Sequence, residues 1–176
     1  MTITTDNQQE LFDVVNASDE VIGQATRGEV HRRGLMHRAV HIFVFNSAGG
    51  LYLQKRSQTK DRHPGCYDSS ASGHQDAGED ADTCARRELR EELGLEAGAG
   101  LTRLFKFPAC AETGWEHVTF YTWQTDAPPQ PNPREIESGR FHTLAEVLRM
   151  IETEPGQFSP GFLKVLQKFG EQMGKG

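Results

Sequence analysis

The stretch GHQDAGEDADTCARRELREELGL, residues 73–95, decides how this chain is read. From Glu79 to Leu93 it has the composition of a helix. Gly94 stops that helix, because glycine takes the left-handed backbone of a helix end at no steric cost. Glu88, Glu91 and Glu92 stand at i, i+3 and i+4, so they share one helix face within an arc of about 100°. Like charges at that spacing oppose one another. A solvated acidic face is one reading of the cluster; a hard divalent cation held by its carboxylates is the other. Ala81, Cys84 and Ala85 lie on or beside the same face, so this side of the helix is not uniformly polar. The small residues Ser69, Ser70, Ala71, Ser72 and Gly73 run up to the helix and let backbone carbonyls come close.

Upstream, HRAVHIFVFN over 37–46 is the strongest strand signal, with Val40, Ile42, Val44 and Phe45 closely spaced. A turn at 47–50 and a second strand at 51–56 predict a hairpin. Residues 11–16 and 21–25 read as two short strands, 27–34 as a short helix or loop, and 1–10 as a flexible lead. The 57–65 segment is a loop, and 67–73 is extended. Downstream, 101–109 and 117–125 read as strands, and the four prolines of 126–133 make a rigid connection. Thr143 with Glu146 three residues on is a capping-box pattern that opens a helix to 152. Ser159-Pro160 opens the last helix, with Phe162, Leu163, Leu166 and Phe169 as its buried stripe. This order predicts an α/β fold, a mixed central sheet with helices on its faces, in one domain over 1–176.

The chain has 176 residues and a formal charge of -6, from 19 Lys+Arg against 25 Asp+Glu. That balance excludes a broad basic surface for a nucleic acid polymer, though not a small phosphate pocket. No run approaches the roughly 20 apolar residues of a membrane span. Three scattered cysteines, Cys66, Cys84 and Cys110, do not make a disulfide scaffold or a zinc knuckle, and no secretory leader is evident. A cytoplasmic protein with reduced thiols is the expectation.

The 73–95 segment resembles the signature of the Nudix family: Gly, five residues, Glu, seven residues, Arg-Glu-apolar-x-Glu-Glu-x-Gly-apolar. Gly73, Glu79, Arg87, Glu88, Leu89, Glu91, Glu92, Gly94 and Leu95 fill every fixed position. The resemblance implies an α/β/α sandwich and a metal-dependent hydrolase using Mg²⁺ or Mn²⁺. Its substrate would be a small molecule with a diphosphate bond, a nucleoside diphosphate linked to another group. Carried over by position, Glu88, Glu91 and Glu92 would hold the metal, with the Gly73 carbonyl as a further ligand. Glu79 and Arg87 would pair or orient those carboxylates. Many relatives are homodimers, so a homodimer is a possible assembly.

The flanks, LYLQKRSQTKDRHPG and the Gly73-His74 pair above all, are similar to a branch containing the type I isopentenyl-diphosphate isomerases and isomerase-like hydrolases. That likeness implies metal contacts from His37, His74 and Glu116, with His31 a looser match. It also implies substrate-phosphate contacts from Arg56 and Lys60. The isomerases carry a catalytic cysteine where this chain has Ser72, which is far less acidic. Gly114 stands where they have another metal-site glutamate. Both departures favour hydrolysis over isomerisation; a silent nucleotide-binding module is the third reading. His41 reads as a hydrogen-bonded core or surface histidine, and His63, His117 and His142 as solvent-facing. Trp115 and Trp123 read as packing residues, and specificity is left to the loops around 57–66, 109–117 and 126–140.

Overall fold

The computed structural model describes residues 4–174. Strands β1 (Leu11–Val15) and β2 (Val21–Thr26) form a two-stranded antiparallel sheet, followed by helix α1 (Arg27–Arg33). The main sheet holds β3 (His37–Phe45), β4 (Leu51–Arg56), β5 (Tyr67–Asp68), β6 (Ala71–His74), β7 (Thr102–Phe107), β8 (Glu116–Gln124) and β9 (Ile136–His142). Helix α2 (Ala81–Leu93) lies between β6 and β7, while α3 (Leu144–Thr153) and α4 (Pro160–Met173) close the chain. The path through the main sheet is β5-β4-β3-β8-β7, with β6 added to β3 and β9 to β4. β3 and β8 run parallel over their full length and every other pairing is antiparallel, so the sheet is mixed.

The predicted hairpin of β3 and β4 is barely one. The two strands share a single register pair, Phe45 with Leu51. Beyond the turn they part, and β6 takes the place beside β3 while β9 takes the place beside β4. Strand β9 has no counterpart in the sequence reading.

Apolar residues on both sides of β3 explain the layers. Val40, Ile42 and Val44 pack with Cys84, Ala85, Leu89 and Leu93 of α2. Phe43 faces the other way, into Phe120, Val147, Phe162, Val165 and Phe169 beneath α3 and α4. The result is the expected α/β/α sandwich. On that second face the start of β3 carries His37, Ala39 and His41 instead of large apolar side chains, since alternate residues share a face. There Phe12, of a small cluster with Val14, Ala25 and Val30, stacks on His37. A cleft of about 430 Å³ opens over this end, with His41, Ser72, His74 and Glu116 among its walls.

Candidate active site

Asp80 caps α2 by accepting from the Thr83 N–H, and Gly94 ends it at φ 63°, as its position in the sequence predicts. Gly73 of β6 lies directly under this helix, and a Cβ there would collide with the Glu88 carboxylate. Glycine is what lets α2 seat its glutamates on the strand. Arg87 then gathers the acidic groups. Its Nε and Nη2 donate to the two oxygens of Glu79 at 2.9 and 2.8 Å, and Nη2 also donates to the His74 carbonyl at 3.0 Å. Its Nη1 reaches Glu88 at 2.6 Å and Glu91 at 3.2 Å.

Glu88 and Glu92 are buried, and Glu91 stands half-exposed at the rim. Burial, reinforced by the neighbouring Glu92 charge, pushes the Glu88 carboxyl well above its ordinary range. Burial, partly offset by Lys60, pushes Glu92 up to about 7. Glu92 Oε2 accepts from Gln54 Nε2 at 2.8 Å and from the Ser72 N–H at 3.3 Å. Burial would raise Glu79 too, but the Arg87 fork holds it below the usual range. Two buried carboxylates with raised pKa values and one exposed partner form a site short of positive charge.

A second cluster stands behind the same cleft, with His74 in the cleft wall. His31, His37 and His74 present ring nitrogens within 4.8 Å of one another. His37 Nδ1 donates to the Leu35 carbonyl at 2.9 Å, which leaves Nε2 as a lone pair. That Nε2 and His31 Nε2 are buried without hydrogen-bond partners. Burial, with His74 beside it, lowers His37 to about 3, and burial with Arg27 lowers His74 well below its ordinary value. Glu116 Oε1 stands 3.0 Å from His74 Nε2 and 3.7 Å from His37 Nε2. Phe12 stacks on both rings and closes the cluster from behind. Two neutral imidazoles, a third ring nitrogen beside them and a carboxylate make a donor set that fits a divalent metal.

Arg56 and Lys60 both line the cleft. Arg56 pairs with Asp68 at 3.3 Å, and buried Lys60 pairs with Asp6 and, at 2.5 Å, with Glu135. Arg27, buried at the start of α1, pairs with Asp61 at 3.0 Å and donates to His74 Nδ1 at 3.3 Å. Sequence reasoning missed Arg27; its signal was the i, i+4 relation to His31 on a short helix. Residues 6, 8 and 10, in the segment read as a lead, also bond here: Asp6 to Lys60 and Arg27, Gln8 to Asp61, Glu10 to Arg27.

Of the residues singled out in the sequence, Gly73, His74, Arg87, Glu88, Glu91, Glu92, Glu116, Arg56 and Lys60 line one cleft. Glu79 and His37 stand behind it, bonded to Arg87 and near Glu116. Two histidines depart from expectation. His117 is buried with Nε2 3.1 Å from the Asn16 carbonyl, and His142 is buried and accepts from Arg140 Nε at 3.2 Å. His117 lies under the turn that follows β1, a contact across 101 residues that local sequence does not reveal. His63 is half-buried at the cleft, and His41 bonds Ser69. Trp123 packs against the α2-side core, whereas Trp115 is 42 % exposed.

The NUDIX domain profile matches residues 35–162. An isopentenyl-diphosphate Delta-isomerase of Serratia proteamaculans is 31 % identical over 166 residues, 92 % of each chain. A Nudix hydrolase of Deinococcus radiodurans is 36 % identical over 143 residues, covering 81 % of this chain and 84 % of that one. A crystal structure of a Deinococcus radiodurans protein superposes with a TM-score of 0.78 at 34 % identity, over 89 % of this chain and 96 % of the other. With an unbroken signature under α2 and relatives matched along nearly its whole length, this chain belongs to the NUDIX domain family.

Proposed function

We propose that the protein is a metal-dependent hydrolase that cleaves the diphosphate bond of a nucleoside diphosphate linked to another group. The observation that carries this reading is the box itself: Glu88, Glu91 and Glu92 line one cleft with Gly73, Arg56, Lys60 and Arg27, and the Glu88 carboxylate sits against Gly73. Glu88, Glu91 and Glu92 would hold Mg²⁺ or Mn²⁺, together with the Gly73 carbonyl, and His37, His74 and Glu116, with His31, a second divalent ion. Bound cations supply charge neutralisation of the diphosphate and a more acidic water. The chain supplies the rest. Arg87 fixes the glutamates by tying them to Glu79 and the β6 backbone. Arg56, Lys60 and Arg27 receive phosphate oxygens once these displace their present carboxylate partners. A cleft carboxylate accepts the proton of the attacking water.

The test is a mass-spectrometric screen of nucleoside diphosphate compounds with Mg²⁺ or Mn²⁺. Cleavage into two phosphate-bearing products is expected, with kcat down by about 100-fold or more in Glu91→Gln and Glu92→Gln. A panel left intact sinks the proposal. The histidine cluster and the Serratia relative favour a second reading, isomerisation of isopentenyl diphosphate. Ser72 opposes it, because a hydroxyl in this cleft is a far weaker acid than a thiol. Isomerised product from the same protein selects that reading, and ligand binding without turnover selects a silent binding module.

A further inference from the structure

His41 belongs to neither cluster, yet it lies on the cleft floor only 5 % exposed. It faces the same side of the sheet as Phe43 and is paired in register with Ser72 of β6. Its Nδ1 is 2.8 Å from Ser69 Oγ. Ser69 is fully buried, and the His41 nitrogen is the one hydrogen-bond partner of its hydroxyl among the described residues. A buried hydroxyl needs an acceptor for its proton, so Ser69 donates to Nδ1 and the imidazole carries its own proton on Nε2. That Nε2–H has no partner among the described residues. It faces Gly161 in the first turn of the 14-residue helix α4: a Cβ built there would have His41 Cε1, the Glu112 carbonyl oxygen and His41 Nε2 as neighbours at 3.8, 3.9 and 3.9 Å. Ser159 caps this helix through the Phe162 N–H, so the Gly161 N–H is also unpartnered among the described residues. Two free donors thus stand at one corner, at the positive end of a helix, which the Glu112 carbonyl oxygen also borders. Arg62, which carries no ion pair among the described residues, lines the same cleft.

We propose that His41 Nε2–H and the Gly161 N–H bind a phosphate oxygen of the substrate, making His41 a substrate-binding residue of the cleft and Ser69 the residue that fixes its tautomer. The inference rests on the diphosphate-hydrolase reading, from which it takes the anionic ligand. It depends on donors alone: a neutral acceptor gains less from two N–H groups at a helix N-terminus than a phosphate oxygen does.

Inorganic pyrophosphate is the probe, titrated with Mg²⁺ present into protein labelled with ¹⁵N at histidine. The free protein should show His41 as the Nε2–H tautomer, and pyrophosphate should shift that nitrogen. Gly161→Ala is the decisive variant. The methyl has room, alanine favours the helix, and the fold should survive with an equal or higher Tm. It fills the corner, however, so Kd for pyrophosphate and KM for a cleaved substrate should rise about ten-fold, the loss of one charged hydrogen bond. His41→Ala should match it, and Ser69→Ala should broaden or move the Nε2 signal. A His41 signal unmoved by pyrophosphate, or wild-type affinity in Gly161→Ala, overturns the proposal. A shifted signal in a protein that cleaves nothing on the panel upholds this corner and overturns the hydrolase reading instead.

Discussion

Glu92 meets two opposed demands. In the metal-free fold its carboxyl is pushed to about 7 by burial, against an ordinary value of 4.5. A group whose pKa is raised on folding stabilises the fold fully below 4.5 and loses that contribution as pH climbs through 7. At pH 8 without metal, the buried charge therefore costs on the order of 3 kcal/mol. Glu92→Gln keeps an oxygen for Gln54 and the Ser72 N–H, so it should raise Tm at pH 8 by roughly 5–10 °C in chelator while abolishing turnover. Calorimetry at pH 5 and pH 8 checks this, because the gain should vanish at the lower pH. His37 runs in the opposite direction. Its folded value, about 3, lies below the ordinary 6.5, so the neutral ring is the one that fits. Stability should fall as pH drops below 6.5, by about 2 kcal/mol at pH 5 from this ring alone. Denaturant titrations of wild type and His37→Asn should converge on acidification; parallel curves would remove His37 as the cause. The sequence made these glutamates legible because spacing on a helix is a local property. Arg27 and His41 acquire their partners 34 and 28 residues away, and no local pattern announces that.

Among the elements, α2, α3 and α4 were readable because each begins with a capping residue and shows a buried stripe at helical spacing. Strand β9 was not. Of its sequence IESGRFH, only Ile136 and His142, at its two ends, are buried, so no alternation signals a strand. What fixes it is pairing with β4 along Leu51–Arg56 and the fit of Gly139 beneath Tyr52. A Cβ at Gly139 would strike the Tyr52 hydroxyl. Gly139→Ala should cost about 1–3 kcal/mol, the usual penalty of overpacking, and Gly139→Ala with Tyr52→Leu, which removes the ring as well as the hydroxyl, should recover part of it. Urea unfolding of the single and double variants measures both terms, and an additive pair would show that the collision is not the cause. The parting of β3 from β4 belongs to this scale too. A turn at 47–50 is written in the sequence, but the strand that fills the gap, β6, is recruited by its fit under α2.

For the molecule as a whole, the sign of the charge was legible and its location was not. Ten acidic side chains and five Lys or Arg line the cleft, a formal -5 with neutral histidines, against -6 for the entire chain. The remainder of the protein is close to neutral. Acidity is a property of one cavity, assembled from segments between Asp6 and Glu135 that only the fold brings together. For a diphosphate approaching by diffusion, this is a repulsive field with its source at the destination. Salt should then act strongly in one state and weakly in the other. In chelator, raising ionic strength from 0.01 to 0.15 M shortens the screening length from about 30 to 8 Å and should speed association of a nucleoside diphosphate compound. In saturating Mg²⁺ the same change should leave the rate flat or slow it. Stopped-flow association in the two conditions decides, and equal slopes would refute the field as the cause. On the proposed reading the field also sets the order of arrival: two divalent cations entering an attractive cavity would take its formal charge from -5 to -1, so the substrate would be admitted second.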